Sequence, residues 1–273
     1  MALEMKELIR TRKSVRTFDG RPLGAADRKA LETCVASIEN PFSVPVVFRL
    51  LNAKEYGLSS PVIVGAEEYL AAKVRRQPNF EIAFGYSFEL ACLFAWSLGI
   101  GTVMLAASLN RSAFEKALAV QEDEIMPVAS PLGYPAAKKS IRETVMRKGI
   151  KADTRKPFGQ LFFRDDFTRE LSPSDAGVYA DALEAARWAP SAANGQPWRA
   201  VVRGESVHFY EAKSMRDSRL GDVQKVDLGI ALAHFDAVRR EDGIEGGFVF
   251  AEPGIKTPEN TYYSVSFRRN QRE

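Results

Sequence analysis

Residues able to grip an anion stand near the start of the chain. Arg12, Lys13 and Arg16 flank Ser14 within five residues. Guanidinium groups bind phosphate oxygens through paired, charge-assisted hydrogen bonds, and a serine hydroxyl adds a neutral donor. Each bond to a charged group contributes roughly 1.5–3 kcal/mol. The cluster follows an expected helix C-terminus, whose dipole repels anions, so the side chains must supply the attraction. Taken alone, it reads equally well as a solvated basic turn.

A second group is Ala189-Pro190-Ser191-Ala192-Ala193-Asn194-Gly195-Gln196-Pro197-Trp198. It forms a polar loop of small residues between a helix and a buried strand. Small side chains let backbone amides approach a flat ligand, and Asn194 and Gln196 can each donate and accept. By composition alone it is also an ordinary helix-to-strand loop. Trp198 reads as a core anchor.

The elements that must position both groups follow from periodicity. Helices are expected over residues 3–11 and 26–37, with Pro41 and Pro45 breaking the chain after them. Strands are expected at 46–51 and 61–65. The most apolar stretch, residues 82–98, is interrupted by Gly85, Ser87, Glu89 and Ser97 and is marginal for a membrane span. It reads as a helix buried in the centre of the protein and capped by Gly99. A strand at 102–105, a helix over 111–118, a strand at 125–132 and a basic helix at 136–148 follow. Residues 149–159, charged and containing Pro157, read as a connector.

The order then repeats. A helix over 177–188 is stopped by Pro190, strands lie at 199–202 and 207–210, a long helix covers 226–240, and strands lie at 248–251 and 262–267. The class is therefore α+β. Two halves, 1–150 and 160–273, each carry an antiparallel or mixed sheet and pack as one unit around long central helices.

Composition excludes several other classes. The chain has 273 residues and a formal net charge of +3, which gives no strong bias toward polyanions. The basic run of Lys138, Lys139, Arg142, Arg147, Lys148 and Lys151 is read as a solvated face, since no nucleic-acid module accompanies it. Cys34 and Cys92 lie in apolar helical surroundings, which suits core thiols in a reducing cytosol. The first six residues lack an apolar signal core, so a cytoplasmic protein is expected. His208 and His234 have no companions at metal-ligand spacing. Gly99-x-Gly101 follows a helix and meets Met104 where a dinucleotide fingerprint needs glycine. The pairs Tyr69/Lys73 and Tyr134/Lys138 match a dehydrogenase pattern by chance.

Together the two groups are specific. Arg-x-Ser-x-Arg-x-Phe at 12–18 and Pro-Ser-x-x-Asn-x-Gln-Pro-Trp at 190–198 resemble the motifs of the nitroreductase family. Leu98-Gly99-Ile100-Gly101-Thr102 and Leu132-Gly133-Tyr134-Pro135 resemble two of its turns. The resemblance implies an FMN cofactor, its phosphate held by Arg12, Lys13, Ser14 and Arg16 with Lys139 and Arg142. It implies a ring bordered by Pro190, Ser191, Ala192, Asn194 and Gln196. It also places Leu105, Ala106 and Ala107 beside the flavin N5, where many members carry an acidic residue. The expected activity passes electrons from NADH or NADPH through the flavin to a nitroaromatic, a quinone or a similar small acceptor. No side chain stands out as a catalytic acid or base.

One departure is informative. In the family both motifs lie in one half-length chain and the site is completed by a second subunit. Here the phosphate motif sits in the first half and the Pro-Ser loop in the second. The loop's counterpart in the first half reads Glu39-Asn40-Pro41-Phe42-Ser43-Val44-Pro45. The motif's counterpart in the second half reads Phe163-Arg164-Asp165-Asp166-Phe167, and two aspartates there repel a phosphate. The chain thus resembles a duplicated, fused nitroreductase in which one polypeptide mimics the dimer, one flavin site survives, and a monomer suffices. Two other readings remain beside it: a non-catalytic flavin-binding protein and a basic nucleotide- or nucleic-acid-binding protein.

Overall fold

The computed structural model describes residues 4–138 and 140–270. Its first part runs α1 (Met5–Thr11), α2 (Ala25–Ser37), β1 (Val46–Asn52), α3 (Ala53–Tyr56), β2 (Glu68–Arg75), α4 (Phe80–Ser97), α5 (Arg111–Ala117), β3 (Glu124–Ile125), β4 (Ala129–Leu132) and α6 (Ile141–Gly149). The second part runs α7 (Phe158–Leu161), β5 (Phe162–Arg164), α8 (Ala180–Arg187), β6 (Trp198–Arg203), β7 (Ser206–Ala212), α9 (Val223–Glu241), β8 (Gly246–Val249) and β9 (Thr261–Arg269).

Two sheets result. In the first, β2 is central and pairs antiparallel with β1, β3 and β4. The second has the order β5-β6-β7-β9-β8, and only β5 and β6 run parallel. The α+β class with mixed sheets and long central helices is the observed one.

Between the sheets lie α4 and α9. Neither has a continuous polar face. Phe84, Phe88 and Ala91 of α4, and Leu228, Leu232 and Phe235 of α9, are fully buried. Each of these phenylalanine and leucine side chains contributes roughly 1.5–3 kcal/mol by leaving water. The helices touch at backbone distance. A Cβ on Gly85 would lie 2.0 Å from the Val226 carbonyl oxygen, and one on Gly229 would lie 2.2 Å from that of Ile82. The contact is reciprocal: each glycine faces the residue three before the other. At its end α4 closes in a Schellman turn, with Gly99 at φ +77° and the Ile100 amide donating to the Ala95 carbonyl at 2.9 Å.

Several element expectations need correction. Residues 61–65 are a turn with a single parallel bridge from Val64 to Thr17; the true strand is β2, whose Ala71-Ala72 and charged ends hide its β character. Residues 102–105 make isolated bridges, Thr102 to Ser14 and Leu105 to Ala129. The strand expected at 125–132 divides into β3 and β4 around Pro127, which has no amide to donate. The basic helix starts at Ile141, where the Ser140 side chain caps the Glu143 amide at 3.2 Å. β5 lies at the second-half counterpart of the 12–18 motif, where no strand is expected. No helix among the described residues is long and apolar enough to cross a membrane.

The backbone contact between α4 and α9 leads to a stability prediction. Gly85→Ala or Gly229→Ala should cost about 3 kcal/mol or more by overpacking, and lower the melting temperature by roughly 6 °C or more. Gly149→Ala, with open space around its Cβ, should not lower it. Thermal unfolding followed by circular dichroism compares the three.

Candidate functional site

The segment after α1 is extended and threaded between two glycine turns. The Val15 amide donates to the Thr102 carbonyl at 2.9 Å, and the Phe18 amide to that of Val64 at 2.8 Å. Val15 and Phe18 are buried. A Cβ on Gly101 would meet Val15 at 2.8 Å, and one on Gly133 would meet Phe18 at 2.9 Å. Both glycines therefore make room for the apolar side of this segment. Ser14 and Arg16, alternating with Val15, line a cleft on the other side.

Across the cleft runs the loop after α8. Its shape is over-determined. Ala193, Asn194 and Gln196 take φ of 49°, 57° and 50°, a region costly for residues other than glycine. Opposing that cost, the Ala192 amide donates to both Asp227 oxygens of α9 at 3.1 and 3.0 Å. The Gln196 amide donates to Ser191 Oγ at 2.9 Å.

The cleft holds two adjoining cavities, an outer one of about 320 Å³ and an inner one of about 160 Å³. Arg12, Ser14, Pro190 and Ser191 wall both, as do Ile150 and Ala152 of the connector. Lys13 and Asn194 face the outer cavity; Arg16, Ala106 and Ala192 face the inner one. The structure thus brings together nine of the expected site residues, eight from the stretches 12–16 and 190–194 and Ala106 from a third.

Other expected residues lie away from both cavities. Leu105 is buried on the opposite side of its extended segment, its amide held by the Ala129 carbonyl at 2.8 Å, and Ala107 is exposed. Arg142 is exposed and donates to the Pro61 carbonyl. Gln196 is buried, with its Oε1 accepting from the Lys156 amide at 2.8 Å. Asn194, although it lines the outer cavity, donates from Nδ2 to the carbonyls of Lys151 and Thr154 at 2.8 and 3.1 Å. Both side chains therefore fasten the connector over the cleft. Lys139 lies outside the described residues.

Among the wall residues not expected from the sequence are five with polar or charged side chains that bear on the site. Arg147 of α6 and Arg155 of the connector face the outer cavity; Glu89, Thr102 and Asp227 face the inner one. Arg147 was visible only as one of a basic run. Glu89 and Asp227 carried one available signal, an acidic residue inside an otherwise buried helical stretch.

The cleft is short of negative charge. Arg16 has buried Nε and Nη1 atoms with no partner, and the buried Arg12 Nε makes no hydrogen bond, only an ion-pair contact with Glu89. Burial presses the Arg16 guanidinium below its usual range; Glu143 opposes this and Arg147 adds to it. Burial, with Arg12 and Arg187 nearby, brings Arg155 down to about 10. An unpaired buried polar group costs about 1–3 kcal/mol, and more when charged. An anionic ligand would relieve that cost.

Behind Arg12 lies a buried polar chain. Glu89 Oε1 stands 3.3 Å from Arg12 Nε and 2.8 Å from His234 Nε2, and both Glu89 and His234 are fully buried. His234 Nδ1 is 3.1 Å from the Ala185 carbonyl, which can only accept, so Nδ1 carries a hydrogen. The contact between Nε2 and Oε1 then needs a further proton, shared by the pair.

A larger cavity, about 670 Å³, lies among α1, α2, α4 and α9. It suits an anion poorly. Its charged groups are Glu39, Asp236 and Arg240, and Asp236 is already bound by Tyr86 Oη at 2.6 Å and by Arg239 and Arg240.

Comparison with known proteins decides the family. The family model described as Putative TM nitroreductase matches residues 4–238. The chain belongs to this family. A solved putative nitroreductase from Thermotoga maritima is 22% identical, with a TM-score of 0.63, over 99% of this chain and 96% of that one. At that identity the likeness speaks for the fold. A nitroreductase with bound FMN from Bacteroides fragilis is 19% identical over 51% of this chain and 92% of its own, with a TM-score of 0.42. A nitroreductase family protein from Clostridium novyi is 16% identical over 52% and 91%, also with a TM-score of 0.42. No curated protein matches the chain.

In this nitroreductase-family chain, Asp227 offers a test of the inner cavity's polarity. Burial raises its carboxyl well above the usual value; the Ala192 amide opposes this and Asp222 adds to it. Unfolded, Asp227 loses its proton near about 3.9; folded, it holds the proton to higher pH. Its contribution to stability is therefore full below that value and is lost as pH rises toward the folded value. Asp227→Asn should raise the melting temperature of the ligand-free protein at pH 7, and the gain should vanish near pH 4. A loss of stability at pH 7 would show an ionised, well-compensated carboxylate instead.

Proposed function

We propose that the cleft binds one FMN and that the protein is an FMN-dependent oxidoreductase. The observation that carries this reading is the set of unpartnered arginine donors in a cleft built jointly from residues 12–16 and the loop 190–194. Arg12, Lys13 and Ser14 would hold the phosphate, with Arg147 and Arg155 in place of Lys139 and Arg142. Arg16, Ala106 and the loop of Pro190, Ser191 and Ala192 would border the ring, where small side chains permit close approach. Asn194 and Gln196 act at one remove, by holding the connector that covers the cleft.

When bound, FMN supplies the redox chemistry, with NADH or NADPH as donor and a nitroaromatic, quinone or similar small molecule as acceptor. The chain's own residues bind and orient the cofactor and restrict water. The two free thiols, Cys34 and Cys92, suit a reducing cytoplasm.

The same reading makes the chain an internal duplication, with halves at 1–150 and 160–273. The reciprocal contact of Gly85 and Gly229 and the repeated order of elements support it. So does the state of the second site's counterpart loop. There Phe42 is turned into the core against Tyr86, Phe248 and Phe250 at ring separations of 5.7, 5.7 and 6.1 Å, and Glu39, Asn40 and Pro41 border the 670 Å³ cavity that suits an anion poorly. With the pairing surface internal, a monomer is sufficient.

The test is flavin content and reactivity. Purified protein incubated with FMN should retain a single FMN per chain and show a flavin absorption spectrum that bleaches with NADH or NADPH. Arg12→Ala and Arg16→Ala should each weaken FMN binding about 10- to 100-fold. No retention in excess FMN would overturn the proposal. Retention without bleaching would leave a flavin-binding protein that is not an oxidoreductase of this kind.

A further inference from the structure

The inner cavity contains a buried acid that binding a phosphate and a flat ring does not explain. Glu89 of α4 is fully buried and forms part of the cavity wall. Its Oε1 is held by His234 and Arg12, while Oε2 has no hydrogen-bond partner. Thr102, also part of this wall and 1% exposed, has a buried Oγ1 without a partner. An acceptor-rich carboxyl oxygen and a free hydroxyl therefore stand beside the two arginines. Leaving such groups unmatched in a buried site is costly.

A phosphate cannot satisfy Glu89, because like charges repel and a dianion offers no hydrogen to donate. The edge of a flavin ring carries a single N–H donor and could meet only one of these groups. A chain of hydroxyls can meet several: each donates one hydrogen and accepts others. We propose that Glu89 is a specificity-determining residue that accepts a hydrogen bond from a hydroxyl of the ligand's polyol chain, with Thr102 as its neighbour on the same wall. The ligand class is thus a polyol phosphate joined to a ring, and the inference rests on the flavin reading above. His234 is the positioning residue. By holding Oε1 at 2.8 Å from the far side, it leaves Oε2 for the ligand.

The test compares two ligands on each protein, FMN and an FMN analogue with a phosphoalkyl chain lacking the ribityl hydroxyls. Dissociation constants come from quenching of flavin fluorescence. Glu89→Ala should weaken FMN binding about tenfold or more while changing the analogue by no more than about twofold. Glu89→Gln, which keeps a weaker neutral acceptor, should weaken FMN selectively by about fivefold, and it serves if the alanine variant does not fold. Equal weakening of both ligands would overturn the proposal, since it would mean that Glu89 acts through Arg12 on the phosphate or through the fold. If wild-type protein binds neither ligand, the flavin reading itself fails, an outcome separate from either of these.

Discussion

Everything at the site depends on α4 and α9 meeting at backbone distance. Gly85 and Gly229 permit that approach, and no larger residue could stand at either place without moving a carbonyl group. The approach has consequences along both helices. Toward one end it sets Glu89 of α4 against His234 of α9, and through Glu89 it reaches Arg12. Toward the other it brings the start of α9 to the inner cavity, where Asp227 receives the Ala192 amide. The segment at 12–18 and the Pro-Ser loop, 178 residues apart from Arg12 to Pro190, are thus referenced to one helix pair.

The site is also held by strain that its own fastenings offset. Three left-handed residues within four positions, Ala193, Asn194 and Gln196, would not persist in an isolated loop. They persist because Asp227, Ser191 Oγ and the connector's carbonyls each fix one point of the loop. The connector in turn gains its position from Asn194, Gln196 and Arg155, whose Nη2 donates to the Trp188 carbonyl at 3.0 Å. Loop and connector are therefore one unit: a change that frees either loosens both.

How much of this was legible in the sequence depends on the range of the interaction. The buried helix expected at 82–98 and found at 80–97, the helix expected at 226–240 and found at 223–241, and the turn at Gly99 are legible in local pattern, because hydrophobic runs and a positive-φ glycine are local constraints. The two motifs were legible as residue types at fixed spacing. What failed was whatever depends on which face a residue takes. Leu105 and Ala106 are adjacent, yet only Ala106 meets the cavity, since alternate residues of an extended segment face opposite sides. Arg142 and Arg147 lie on one short helix, and only the fold shows that Arg147 turns to the cleft. β2 was missed because alanines and charged ends conceal a strand whose burial comes from both of its neighbours.

Glu89 and Asp227 show how two acids on paired helices acquire different characters. Both are buried, and both face the same inner cavity. Glu89 has His234 and Arg12 within reach, so a proton or a cation is always at hand for one of its oxygens. Asp227 has only a backbone amide, and burial favours its neutral form. A neutral acid can donate a hydrogen bond as well as accept one, whereas Glu89 presents an unshared acceptor. The Glu89 wall of the cavity is therefore suited to groups that donate, whereas both Asp227 oxygens already accept from the Ala192 amide. A ligand carrying only negative charge does not meet the need of the Glu89 wall.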